Sequence, residues 1–323
     1  MHFNAHSFFG KRILPVLIII LVATGIHLAQ EFRFYNIESN DLFLYDWADI
    51  WGRLQKTGGL ATILASFLTQ FMRVPFAGTV ILTGVYILVA ILLYKILCRK
   101  SDDIAMAGFT LLPAAFLFLC MENDYYRFQG HMAFVLMLAA LYAYVSIPKE
   151  KIRYIVGLAL IPVLYHIAGS VALVFVVSAS VWEITGNGLK GLKSLVYPIL
   201  LAAAAFIYVD ASLVSSWEHA LTPFMYYDWP STYFFPVYAW TSVPALIILS
   251  WMISKLDVKR QEYETFMRRT QIQMDDRMNE LNIEHIVYGR MKHPYSIYRK
   301  MQTQGKAIDE LYDIYAFRCV VDS

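Results

Sequence analysis

Four residues in the last part of the chain combine the charges that handling a triphosphate requires: Arg290, Lys292, Lys300 and Asp313. Arg290 and Lys292 lie two apart at the end of an expected strand, so both side chains point to one face. Lys300 follows on an expected helix. Guanidinium and ammonium groups neutralise clustered phosphate oxygens. A carboxylate at Asp313 would serve Mg²⁺, which takes one or two carboxylates and fills its shell with phosphate oxygens and water. By composition alone a basic stretch of this kind is more often a solvated face.

A second set of residues sits among apolar sequence. His166 falls in the middle of a long hydrophobic run, beside Gly169 and Ser170. Ionisable groups at membrane depth are costly and often functional, although a histidine bonded to a neighbouring carbonyl is the commoner case. Asp41, Asp46 and Asp49 crowd one loop, where a carboxylate would bind a metal or act as a base. Such a loop is ordinarily solvated surface.

The elements that position these residues differ sharply on either side of Lys255. Of 323 residues, 58% are hydrophobic and only 16% charged, against about 25% charged in soluble domains, which points to a polytopic membrane protein. Lys11 and Arg12 precede an apolar run from Ile13 to about Leu28, read as an uncleaved anchor. Further runs long enough to span, or nearly so, lie at about 76–98, 104–121, 131–147, 154–183, 194–209 and 236–254. The stretch from Thr57 to Pro75 is too short for a comfortable crossing. The run at 154–183 is too long for one, and Pro162 with Tyr165-His-Ile-Ala-Gly169 divides it into two. Short basic loops (Lys95/Arg99/Lys100, Lys149/Lys151/Arg153, Lys190/Lys193) are expected in the cytoplasm. The acidic, aromatic loops at 30–57, 121–130 and 214–235 are expected outside, with Trp217, Trp229 and their neighbours forming an interfacial belt. About eight crossings result, with both termini cytoplasmic. Cys98, Cys120 and Cys319 are scattered and read as buried thiols.

The tail lacks proline and glycine from about Leu256 to Leu281, which predicts a helix ending near Asn282. Ile283–Tyr288 is expected to be a strand leading into Gly289-Arg290. Pro294 opens a helix from Tyr295 to about Gln302, and Tyr315–Val321 reads as a buried strand. That last strand is expected to lack sheet partners and leave an open edge.

The run Gly289-Arg-Met-Lys-His-Pro-Tyr-Ser-Ile-Tyr-Arg-Lys-Met301, followed by Leu311-Tyr-Asp-Ile-Tyr-Ala-Phe-Arg-Cys-Val-Val-Asp322, resembles the start of the synthetase domain of RelA/SpoT proteins. Those enzymes move the β,γ-pyrophosphate of ATP to the 3′-hydroxyl of GTP or GDP. The resemblance implies that Arg290, Lys292, Ser296 and Lys300 contact ATP and that Asp313 holds Mg²⁺; Arg318 matches a recurrent arginine without an assigned role. It also implies a truncated site, because the guanine-stacking tyrosine and second catalytic carboxylate of that family lie beyond the matched window. The part before Lys255 resembles an uncharacterised family of multi-pass bacterial proteins, through Asp41-Leu-Phe-Leu, Gly58-Gly-Leu, Phe67-Leu-Thr-Gln-Phe71 and Tyr165-His-Ile-Ala-Gly169.

The expectation is therefore a mainly α fold. A helical membrane bundle (1–255) passes through a linker helix (256–281) into a truncated cytoplasmic α/β nucleotidyltransferase-like fragment (282–323). The expected partners are ATP, GTP and the lipid bilayer of a bacterial inner membrane, with Mg²⁺ as cofactor and no nucleic acid. The chain reads as a fusion or truncation product whose synthetase segment is inactive alone. The alternative is a membrane transporter or glycosyltransferase-like protein, with the tail incidental.

Overall fold

The structure, a computed structural model, describes residues 23–28, 34, 37–38, 42–74, 76–100, 105–123, 125–211, 217–227, 235–281, 283–291, 299, 303 and 315–321. It divides into two compact units, Met1–Met252 and Ile253–Ser323.

The first unit is helical. Its described elements are α1 (Trp47–Leu54), α2 (Gly59–Thr69), α3 (Ala77–Leu97), α4 (Ala105–Phe109), α5 (Leu111–Cys120), α6 (Gln129–Val145), α7 (Glu150–Ala168), α8 (Ala172–Asn187), α9 (Val196–Asp210) and α10 (Trp217–Ala220), followed by the first part of α11 (Phe235–Glu280). Helix α6 lies at the centre, packing against α2, α3, α7 and α8. Its Phe134, Met137, Leu138, Leu141 and Tyr144 are fully buried.

Among the described residues three helical stretches are long and apolar enough to cross a membrane: Ala77–Leu97, Glu150–Asp210 and Phe235–Val258. The expectation of about eight crossings left out the stretch that folds as Gly59–Thr69 but counted those that fold as Met106–Cys120 and Gln129–Val145. These are apolar helices of only 10–17 residues, below the roughly 20 that a bare crossing needs. The expected first anchor lies largely outside the described residues.

The 61-residue stretch Glu150–Asp210 does not run straight. At Gly169 the backbone turns through φ 68°, ψ −145°, a conformation that glycine adopts without a Cβ penalty. A Cβ there would also meet Met225 Sδ at 2.5 Å. The run expected to cross twice is thus two helices, α7 and α8, meeting near the predicted break. Helix α9 packs back on both.

One end of this hairpin is closed by charge. Glu183 is 1% exposed and accepts from Arg153 Nε and, at 3.1 Å, from Arg153 Nη2. Tyr144 Oη donates to the same carboxylate at 2.8 Å and Asn187 Nδ2 at 2.7 Å. A buried charge is tolerable only when paired and hydrogen-bonded in this way. The expected cytoplasmic loops gather at this end. Lys193 pairs with Glu150, and Lys100 reaches Thr185 Oγ1 at 2.5 Å while lying 4.4 Å over the Trp182 ring.

In the second unit, the end of α11 is followed by strands β1 (His285–Met291) and β2 (Tyr315–Val321), paired antiparallel from His285↔Val321 to Met291↔Tyr315. The hairpin packs on the helix: Gln271 Nε2 donates to Val287 O at 2.9 Å, and His285 Nε2 lies 3.2 Å from Asp275 Oδ1. Strand β2 has the predicted bounds, but the expected lack of sheet partners is corrected. β1 pairs with its whole length, because the strand runs three residues past Tyr288 and takes in Gly289 and Arg290. Gly289 permits the close approach, since a Cβ there would meet Met267 Cε at 2.9 Å. Helix α11 ends at Glu280, two residues short of the expected Asn282.

Candidate functional site

The end of the bundle opposite the Glu183 network collects the loops expected on the outer side. Gly58 N donates to His166 O at 2.7 Å, Arg127 N to Tyr226 O at 2.9 Å, and Tyr165 Oη to Ala220 O at 2.8 Å. Tyr126 bridges to Tyr227, and Tyr226 Oη donates to Ala168 O. The α7–α8 break is thereby pinned from two remote segments, the turn at Gly58 and the stretch 217–227. Burial pushes the phenols of Tyr126, Tyr226 and Tyr227 up, so all three stay protonated.

Between these segments lies a cleft of about 570 Å³ lined by Asp49, Arg53, Lys56, Thr57, Arg127 and Gln129, with Leu42 and Thr62 completing its wall. Helix α1 builds one side. Asp46 caps it, with extended backbone (φ −117°) and Oδ1 accepting from Ala48 N at 3.3 Å, as an N-cap aspartate does. Asp49 and Arg53 sit one turn apart on the same face and pair at 2.8 Å. Arg53 also donates to Leu42 O at 3.0 Å. Gly59 lets α1 and α2 meet, because a Cβ there would clash with Arg53 O. Across the cleft, Thr62 Oγ1 donates to Gln129 Oε1 at 3.3 Å, tying α2 to α6.

The residues singled out from sequence therefore separate. Asp49 lines the cleft, and Asp46 is committed to capping. His166 is half-buried, with Nδ1 2.9 Å from Tyr208 Oη, so its ring serves the packing of α7 on α9. His131, fully buried in α6, holds Tyr86 Oη at 3.3 Å in the same manner. Arg290 lies within β1 opposite Ala316. Asp41, Lys292, Ser296, Lys300 and Asp313 lie outside the described residues. Among the described residues no group of three His, Cys, Asp or Glu side chains is placed to hold a metal ion.

Sequence reasoning missed Arg53, Lys56, Thr57, Arg127 and Gln129. Arg53 carried a signal, four residues after Asp49 and so on the same helix face, whereas Lys56 lies past the end of α1 at Leu54. Arg127 and Gln129 carried none, because nothing local shows that the 121–130 loop meets α1.

The molecule so defined is a mainly helical protein with candidate membrane spans, a polar cleft at one end and a small helix–hairpin unit after Met252. The chain belongs to a family of unknown function, DUF6057, whose sequence profile matches residues 7–312. That match runs through the composition change at Lys255. Local similarity reaches a further group. A GTP pyrophosphokinase of Myxococcus xanthus is 36% identical over 67 residues, 21% of this chain and 9% of that protein. A probable guanosine-3′,5′-bis(diphosphate) 3′-pyrophosphohydrolase of Synechocystis is 41% identical over 66 residues, 20% of this chain and 9% of that protein. The GTP pyrophosphokinase of Escherichia coli K12 is 58% identical over 36 residues, 11% of this chain and 5% of that protein. The matched stretch thus spans less than a tenth of the length of these relatives. No solved structure matches.

Proposed function

We propose that the chain is a multi-pass bacterial inner-membrane protein, with about eight crossings and both termini cytoplasmic. Its tail is the ATP-phosphate- and Mg²⁺-binding part of a GTP pyrophosphokinase-like synthetase. The observation that carries this reading is the local likeness to GTP pyrophosphokinases, 58% identity over 36 residues in the E. coli protein. The donor chemistry fits. Arg290, Lys292 and Lys300 supply charge for phosphate oxygens, Ser296 a hydroxyl, and Asp313 one carboxylate for Mg²⁺. Phosphoryl-type transfer depends on positioning and charge neutralisation, and this segment provides those for ATP alone. Transfer to GTP requires parts of the synthetase outside the matched stretch.

The test is titration of a fluorescent ATP analogue onto the full chain in detergent, with and without Mg²⁺. Binding that weakens at least tenfold in Arg290→Gln and Lys292→Gln, about the worth of one charge-assisted hydrogen bond, supports the reading. Binding unchanged in the double variant sinks it. Added GTP is expected to yield no guanosine tetraphosphate.

One observation favours a second reading. Asp49 lines a polar cleft at the end of the bundle, as a membrane transporter or glycosyltransferase-like protein would require. Under that reading, removing the residues after Lys259 leaves function intact.

A further inference from the structure

From Gly188 to Leu195 the chain repeats with a period of three: Gly-Leu-Lys, Gly-Leu-Lys, Ser-Leu. Gly188, at φ 56°, turns the chain back after α8. The eight residues then form a 3₁₀ helix that leads into α9, longer than the three or four residues such helices usually last. The repeat accounts for that length. Three residues per turn stack side chains spaced three apart on one line, whereas the wider turn of an α-helix would fan them out. The small residues take one line, and Gly191 and Ser194 are buried. A Cβ on Gly191 would clash with Glu183 O, and Ser194 O accepts from Ser180 Oγ at 3.2 Å, so this line packs along α8. The leucines take the second line: Leu189, Leu192 and Leu195 are 87%, 45% and 50% exposed. Lys190 and Lys193 take the third, both exposed, with Lys193 paired to Glu150 and 5.3 Å from the centre of the Tyr154 ring.

The leucine line continues past Leu195. Ile199 stands one α-helical turn further on and Phe206 two turns beyond that, 69% and 59% exposed, with exposed Ala202 and Ala203 between them. One apolar ridge therefore runs from Leu189 along the outer flank of α9, and the medium that covers α9 covers the leucines too. Helix α9 belongs to a stretch apolar enough to cross a membrane. Its 15 residues reach only about 22 Å at about 1.5 Å per residue, against a hydrocarbon core of roughly 30 Å. At about 2.0 Å per residue, about four residues of the 3₁₀ helix make up the difference, which carries the apolar span to Leu192. Leu189 and Lys190 then fall at headgroup level, where a lysine stem lies along apolar surface and keeps its ammonium in water.

We propose that this 3₁₀ helix is a lipid-contacting segment. Leu192 and Leu195 lie against acyl chains and Leu189 enters the headgroup boundary, so the connection between α8 and α9 is embedded rather than a solvated loop. The proposal rests on the membrane placement of α9 and adds to it a lipid contact surface outside the spanning helices.

The experiment reconstitutes the full chain, with Cys98, Cys120 and Cys319 replaced by alanine, in vesicles of phosphatidylcholine and phosphatidylglycerol. Spin labels on Leu189→Cys, Leu192→Cys, Phe206→Cys and Asp276→Cys report collisions with lipid-soluble oxygen and with an aqueous nickel chelate. Asp276, exposed on the polar part of α11, is the solvent reference. A several-fold loss of chelate collisions and a gain of oxygen collisions are expected at 192 and 206 relative to 276, with 189 intermediate. Chelate collisions as frequent at either 189 or 192 as at 276, with 206 still shielded, overturn the proposal and leave the membrane placement standing. If 206 is as open as 276, the membrane placement fails and the proposal with it. A second measurement keeps the native cysteines. Leu192→Trp, unlike Asp276→Trp, should add fluorescence that brominated phosphatidylcholine quenches, and added fluorescence that resists quenching also overturns the proposal.

Discussion

The two ends of the helical unit each carry a carboxylate–arginine pair, and the pairs do opposite work. At one end Glu183 is sealed from solvent, and its carboxylate is filled by Arg153, Tyr144 and Asn187. At the other, Asp49 and Arg53 are 28% and 24% exposed and border a cleft that Lys56 and Arg127 also line. A saturated, buried network can hold helices but offers nothing to a ligand. A part-exposed pair at the edge of a cleft costs little to keep and stays within reach of solvent. Burial, more than residue type, separates the two sites.

The sharpest way to break this comparison is to remove one partner of the sealed pair. Glu183→Ala strands the Arg153 guanidinium and takes the acceptor from Tyr144 and Asn187. Breaking a buried pair costs about 3–5 kcal/mol, a large share of a typical folding stability. Thermal unfolding in detergent should show a large drop in midpoint. A drop no greater than that of an exposed-charge variant would mean that the network is not sealed. Next in size is the hinge between the ends. Gly169→Ala places a side chain at φ 68°, against Met225. Strain of this kind costs about 1–3 kcal/mol, so the variant should lose stability and loosen the α7–α8 break, read as faster amide exchange at residues 166–171.

Much of this arrangement was legible in sequence. Pro162 and the Tyr165–Gly169 motif located the hinge, because glycine and proline punctuate helices for reasons local to the chain. The β-branched run at Tyr315–Val321 was legible for the same reason. The loops that meet around the cleft were grouped correctly by their charge and aromatic content. What sequence could not supply was pairing between remote segments. Glu183 reads as one acidic residue in an apolar run until Arg153 and Tyr144 are brought against it. β2 was expected to stand unpaired because the resemblance placed its sheet partners beyond the matched window, whereas its partner β1 begins thirty residues before it, with Met291 opposite Tyr315. Conversely, His166 drew attention as an ionisable group at depth, and the fold satisfies it with Tyr208.

Lys100 gives a subtler probe of the sealed end. Burial pulls its ammonium down from the usual 10.5 to about 8. Between those values the unfolded chain holds more protons than the folded one, so this residue adds stability as pH rises from about 8 towards 10.5. The unfolding midpoint of the wild type, taken relative to Lys100→Gln, should climb across that window and stay level below it. A flat difference would mean that Lys100 is solvated and the end is not closed.

The smallest expected effect tests the comparison from the open side. Lys56 is exposed, and no described side chain pairs with its ammonium. Lys56→Gln removes one full charge, as Glu183→Ala does, yet surface changes away from caps and networks usually stay within about 0.5 kcal/mol. The unfolding midpoint should therefore match the wild type. If Lys56→Gln destabilised the fold as Glu183→Ala does, the open end would be a second structural network.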